Sequence, residues 1–172
     1  MEDKIITIFT PTYNRAYKLP DLYVSLCKQT SQHFEWLIVD DGSTDETEQL
    51  VDAWIKEKKI FIRYLKQENG GKQRAHNTGV LNSDLELFFC VDSDDIIAED
   101  CVEKHLKRWN QVRNNERVAG IISLKGDLEG NPLGTYFPEG LDCVSRKLLY
   151  GKMKFKGDAS LIYRTSLFKQ HL

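Results

Sequence analysis

The sequence predicts an α/β fold, one mostly parallel β-sheet with helices on both faces. Three observations lead there. Short apolar runs rich in β-branched and aromatic residues recur along the chain, segments of helical spacing separate them, and dense polar clusters stand directly after the runs. Regular alternation of the two element types favours parallel strands joined by helical crossovers. At 172 residues and 41% hydrophobic composition, the chain suits one domain with a real core and is too short for two comfortable ones.

The strand-like runs are IITIF (Ile5 to Phe9), FEWLIV (Phe34 to Val39), IFIRYL (Ile60 to Leu65), LELFFCV (Leu85 to Val91) and VAGIISL (Val118 to Leu124), with a last one from Ser160 to Tyr163. In LPDLYVSLCKQ, Leu19, Leu22, Tyr23 and Leu26 fall on one helical face. TDETEQLVDAWIKEKK reads as a helix capped by Thr44, with Asp45 and Glu46 favouring its N-terminus. Acidic residues from Glu99 to Glu103 open the helix that carries Leu106 and Trp109. After Leu124 the Gly- and Pro-rich GDLEGNPLGTYFPEG predicts a hairpin or a mobile loop. The chain stops abruptly in a helical start, so the polypeptide is expected to continue.

Composition narrows the function. A net charge of -2 leaves no basic excess for a nucleic-acid backbone. No run approaches the ~20 apolar residues of a spanning helix, and the N-terminus has no leader pattern, so a cytoplasmic chain is expected. Cys27, Cys90, Cys101 and Cys143 form no metal-binding spacing and read as reduced, mostly packed thiols.

In open parallel sheets, ligands bind beyond the carboxyl ends of the strands. TPTYNR follows the first strand, DDGSTD the second, QENGGKQRAHN the third and DSDD the fourth, so four strands deliver polar groups to one rim. Each cluster also has a plain structural explanation. TPTYN alone reads better as a turn with a cap than as a site. DDGSTD reads as an Asp-Gly turn before a helix, apart from the doubled Asp40 and Asp41, His76 equally as a core or capping histidine and Arg74 as a solvated charge. NGGK lacks full P-loop spacing. The acidic stretch is harder to dismiss: Asp92, Asp94 and Asp95 repel one another unless a cation offsets them. A hard divalent ion, Mg²⁺ or Mn²⁺, suits such oxygen ligands and keeps positions open for phosphates.

The ordered set PTYNR, VDDGSTD, NGG with a downstream AHN, and VDSDD resembles the nucleotide-sugar-binding half of the inverting family 2 glycosyltransferases, which have the A-type fold, with a Rossmann-like sheet. The resemblance is strong over residues 4 to 100 and thins afterwards; the region from 101 to 172 is expected to start the acceptor half. It implies a sugar nucleotide donor, commonly a UDP-sugar, and a divalent metal held through a DxD motif. Carried over by position, Pro11, Thr12, Tyr13 and Asn14 would line the nucleoside pocket. Asp41 would contact the base while Asp40 supports its loop, and Lys72 and Arg74 would approach the phosphates. Asp92, with Ser93 beside it, would reach the ribose or order the metal site, with Asp94 the first choice as metal ligand and Asp95 the second. Asp158, after Gly157 in KFKGDAS, is the candidate catalytic base. His76 stands where the family usually has an arginine, which puts the phosphate contact in question.

Glycan, lipid-linked and protein acceptors are all compatible with the resemblance. Transient membrane contact is compatible too, though no amphipathic basic helix is evident in the sequence. Three other readings compete. A DxD phosphatase would want its aspartates on the first strand, and a nucleotidyltransferase a Gly-rich loop there. A non-catalytic nucleotide-sugar-binding module would share the pocket without a working base.

Overall fold

In the computed structural model, residues 3–171 are described. Six strands form one sheet in the order β3-β2-β1-β4-β6-β5: β1 Ile6–Thr12, β2 Phe34–Asp40, β3 Ile62–Lys66, β4 Leu87–Cys90, β5 Gly120–Leu124 and β6 Ala159–Arg164. The first four are parallel, and β6 runs antiparallel between β4 and β5. The expected mostly parallel sheet is thus present, with one reversed strand that the sequence pattern does not reveal.

Every residue of β1 and β2 is buried, because helices cover both faces. Strand alternation divides the core accordingly. Ile6, Ile8, Trp36, Ile38, Leu87 and Phe89 face one side, against α1 (Leu19–Cys27), α2 (Thr47–Glu57) and α4 (Cys101–Val112). Phe9, Leu37, Val39 and Phe88 face the other, against Ala75 and Val80 of α3 (Lys72–Leu81) and Phe168 of α5 (Thr165–Lys169). The approach of α3 to the sheet depends on Gly79, where an added Cβ would lie 2.3 Å from Cε2 of Phe9.

One cap differs from expectation. The helix after DDGSTD begins at Thr47, not behind Thr44. Asp45 supplies the acceptor, its Oδ1 taking the Thr47 N–H at 3.1 Å and the Thr47 hydroxyl at 2.6 Å. Thr44 is drawn away because its N–H donates to Asn14 Oδ1 at 2.8 Å. The Gly- and Pro-rich segment forms a small hairpin closed by a Gly126–Pro132 bridge. All four cysteines are free; Cys143 is exposed, and the other three are half-buried.

Candidate active site

The register sets Thr12 opposite Asp40 and Asp40 opposite Lys66, so the first three strands end on one level, with the end of β4 beside β1. The residues just past those ends build the site. Asp40 is fully buried, accepting the Ser43 N–H at 2.8 Å on Oδ1 and the Tyr64 hydroxyl on Oδ2. Burial, reinforced by that carboxylate, holds the Tyr64 phenol protonated far above its usual range. Asp40 therefore shapes the turn from beneath.

Asp41, also buried, reaches across to the loop after β3. Its carboxylate accepts from Gln67 Nε2 at 2.6 Å, from the Gly70 N–H at 3.1 Å and from the Gly71 N–H at 2.6 Å. Gly71 has φ 89°, a left-handed conformation that favours glycine and opens its backbone toward the rim. Asn14, at φ 52°, turns its side chain to the N–H groups of Thr44 and Asp45 and so staples the first loop to the second.

Between these loops lies a cavity of about 520 Å³. Pro11, Thr12, Tyr13, Asp41, Lys72, Asp92, Ser93 and Asp94 line it. Asn14, Asp40, Arg74, Asp95 and Asp158 are not among its walls. Arg74 folds over Gly70, where a Cβ would meet its Cδ at 2.3 Å. The sequence reading passes over Arg15, Asn69, Gly71 and Ala75, which also line the cavity. All four stand in or next to the motifs already singled out, so position after a strand end was the available signal.

Two lysines answer much of the repulsion in the acidic turn. Lys72 Nζ lies 2.7 Å from Asp92 Oδ1, and that contact raises the lysine's pKa. Lys125 Nζ lies 2.9 Å from Asp95 Oδ2 and 4.0 Å from Asp158 Oδ2. Asp94 is exposed to the cavity with no protein partner among the described residues. Also among these residues, no three His, Cys, Asp or Glu side chains converge as a ready-made metal cage. The oxygen-only donors still fit a hard divalent ion, provided a bound ligand contributes further oxygens.

Asp158 stands at the mouth of a second cavity of about 250 Å³, shared with Lys125, His76, Tyr163 and Phe168. Its backbone is locked by the Lys125 N–H to its carbonyl at 3.0 Å and by its own N–H to Leu133 O at 2.8 Å. Gly157 permits this packing, since a Cβ there would lie 2.4 Å from Phe155 Cζ and 2.8 Å from Thr135 O. His76 makes edge contacts with Phe9, Phe88 and Phe168 at 5.4 to 5.7 Å between ring centroids. Burial, helped by nearby Lys72, lowers its pKa and favours a neutral imidazole.

The sequence profile described as "Glycosyl transferase family 2" matches residues 7–172. The chain belongs to that family. It is 31% identical over 178 residues to glycosyltransferase GlyG of Streptococcus pneumoniae serotype 4, covering 98% of this chain and 58% of that protein. The crystal structure of S. aureus TarS 1-349 superposes with a TM-score of 0.73 at 26% identity, covering 96% of this chain and 48% of that one. TarS in complex with UDP-GlcNAc gives 0.70 at 23% identity. The mannosyltransferase PcManGT from Pyrobaculum calidifontis, in complex with GDP-Man and Mn²⁺, gives 0.66 at 19% and covers 99% of this chain. The expected A-type fold is present, and family membership removes the phosphatase and nucleotidyltransferase readings. This chain spans 58% of the length of GlyG and as little as 17% of other curated relatives.

Proposed function

We propose that this chain binds a nucleotide-sugar, preferentially a UDP-sugar, in the larger cavity and transfers the sugar with inversion to a hydroxyl acceptor, in polysaccharide or glycoconjugate synthesis. One observation carries the reading: loops from three parallel strand ends, tied together by Asp41 and Asn14, enclose a cavity that ends on Asp92 and Asp94. UDP-GlcNAc in the complex of TarS, a protein of the same fold, supports the choice of donor.

In this reading Tyr13, half exposed on the wall, packs beside the base, and Lys72 meets the diphosphate. An acceptor hydroxyl attacks the anomeric carbon in line. The new C–O bond forms as the bond to the diphosphate breaks, and Asp158 takes the hydroxyl proton. Asp94 would hold the divalent ion directly; Asp95 would first have to exchange its contact with Lys125. When bound, such an ion stabilises charge on the departing phosphates.

Calorimetric titration of UDP-, GDP- and TDP-sugars with and without Mn²⁺ tests the proposal. Metal-enhanced heat with the UDP-sugar, lost in Asp94→Ala, is the expected result. Absence of heat with every nucleotide refutes it.

A further inference from the structure

The segment 146–156, RKLLYGKMKFK, leads into Asp158 and is not used by the donor site. It carries five basic residues, Arg146, Lys147, Lys152, Lys154 and Lys156, and no acid. All five are exposed, and none forms an ion pair among the described residues. Elsewhere, cations unpaired among the described residues, such as Lys4, Lys18, Lys107 and Arg117, stand scattered among acids or paired lysines, whereas here five unpaired cations fall within eleven residues that hold no acid, in a chain whose net charge is -2. An uncompensated cationic stretch on an acidic protein points to a partner of opposite charge.

The stretch is held in place. Leu149 and Phe155 anchor it in the interior, and Phe155 packs against Phe137 and Tyr150 at centroid distances of 5.1 and 5.4 Å. Its first half is a π-helical turn, Lys147–Lys152, and Lys154 adopts φ 53°, both uncommon backbone states that concentrate at functional positions. Between the cations, Leu148, Tyr150 and Met153 are left 37, 40 and 39% exposed.

We infer that this strap docks on an anionic phospholipid bilayer. A soluble polyanion would neutralise the lysines but has no use for bare leucine and methionine; a bilayer interface takes both kinds of group. The strap also brackets the second cavity. Arg146 Nη1 bonds the Tyr163 hydroxyl at 3.2 Å at one end, Lys156 precedes Asp158 by two residues at the other, and Tyr163 and Asp158 line that cavity together. Docking there brings an acceptor hydroxyl on a lipid carrier to Asp158. That purpose rests on the proposed transfer reaction, whereas the docking itself does not.

The test is co-sedimentation of the full chain with phosphatidylcholine vesicles with and without phosphatidylglycerol, at low and high salt. Binding should require phosphatidylglycerol, fall with salt and drop at least ~10-fold in Lys147→Gln/Lys152→Gln/Lys154→Gln. Leu148→Ser/Met153→Ser should weaken it as well. Unchanged UDP calorimetry in each variant certifies the fold. Equal binding to neutral vesicles, full binding by the triple variant, or capture of inorganic polyphosphate without capture of vesicles each overturns the inference. Loss of UDP-sugar binding by the parent chain would sink the transferase reading and leave the vesicle result standing.

Discussion

Lys125 places its ammonium 2.9 Å from Asp95, linking the acidic turn after β4 to the edge strand β5. The same ammonium lies 4.0 Å from Asp158, so one cation serves a candidate metal ligand and the candidate base. Lys125→Ala should free Asp95 and tighten Mn²⁺ binding, measured by calorimetry, while lowering kcat ~10-fold through loss of base positioning. Lys125→Arg should recover most of the turnover.

Asp158→Asn removes the proton acceptor with little change in shape. Turnover should fall ~10² to 10⁴-fold with donor affinity unchanged, read from steady-state kinetics beside UDP titration. Equal losses in affinity and turnover would assign Asp158 to structure.

Asp41→Ala strips the acceptor from Gln67 Nε2 and from the N–H groups of Gly70 and Gly71. Water can take up the exposed Gly70 and Gly71 N–H groups, while leaving the half-buried Gln67 amide unpaired costs about 1–3 kcal/mol, so a lower thermal midpoint and lost donor binding are expected together.

Gly79→Ala forces a methyl group into the Phe9 ring at 2.3 Å. Destabilisation of about 1–3 kcal/mol in a denaturant melt is expected, because overpacking shifts α3 from the sheet. Lys72, at the head of that helix, moves with it, and donor affinity should weaken.

Burial lowers the pKa of His105 to about 4. The unfolded chain therefore binds a proton that the folded chain refuses between the ordinary histidine value of about 6.5 and that lower one. Stability is full above this window and declines as pH falls through it, by up to about 3 kcal/mol. His105→Gln should flatten the acid limb of a stability-versus-pH curve.

The polar rim at the strand ends was legible because parallel buried strands write themselves as apolar runs and the polar clusters follow immediately in sequence. The role of Asp40 as a support for its loop came from the family resemblance, and its bonds to the Ser43 N–H and the Tyr64 hydroxyl agree with it. Lys125 could not, since its partners Asp95 and Asp158 come from distant loops and meet it only because β6 inserts between β4 and β5. Asn14 and Thr44 show the same limit on a smaller scale. Local capping rules favoured Thr44, but a side chain from another strand end claimed its N–H. The basic strap is not legible in the sequence because its cations follow no α-helical period.

The strand order has a consequence for biosynthesis. As the chain leaves the ribosome, β5 emerges while β6, its one sheet neighbour among the described residues, is still unsynthesised, and β4 waits with one flank bare. Until Ala159–Arg164 arrives and threads between them, β4 and β5 present unpaired strand margins of the kind that invite aggregation.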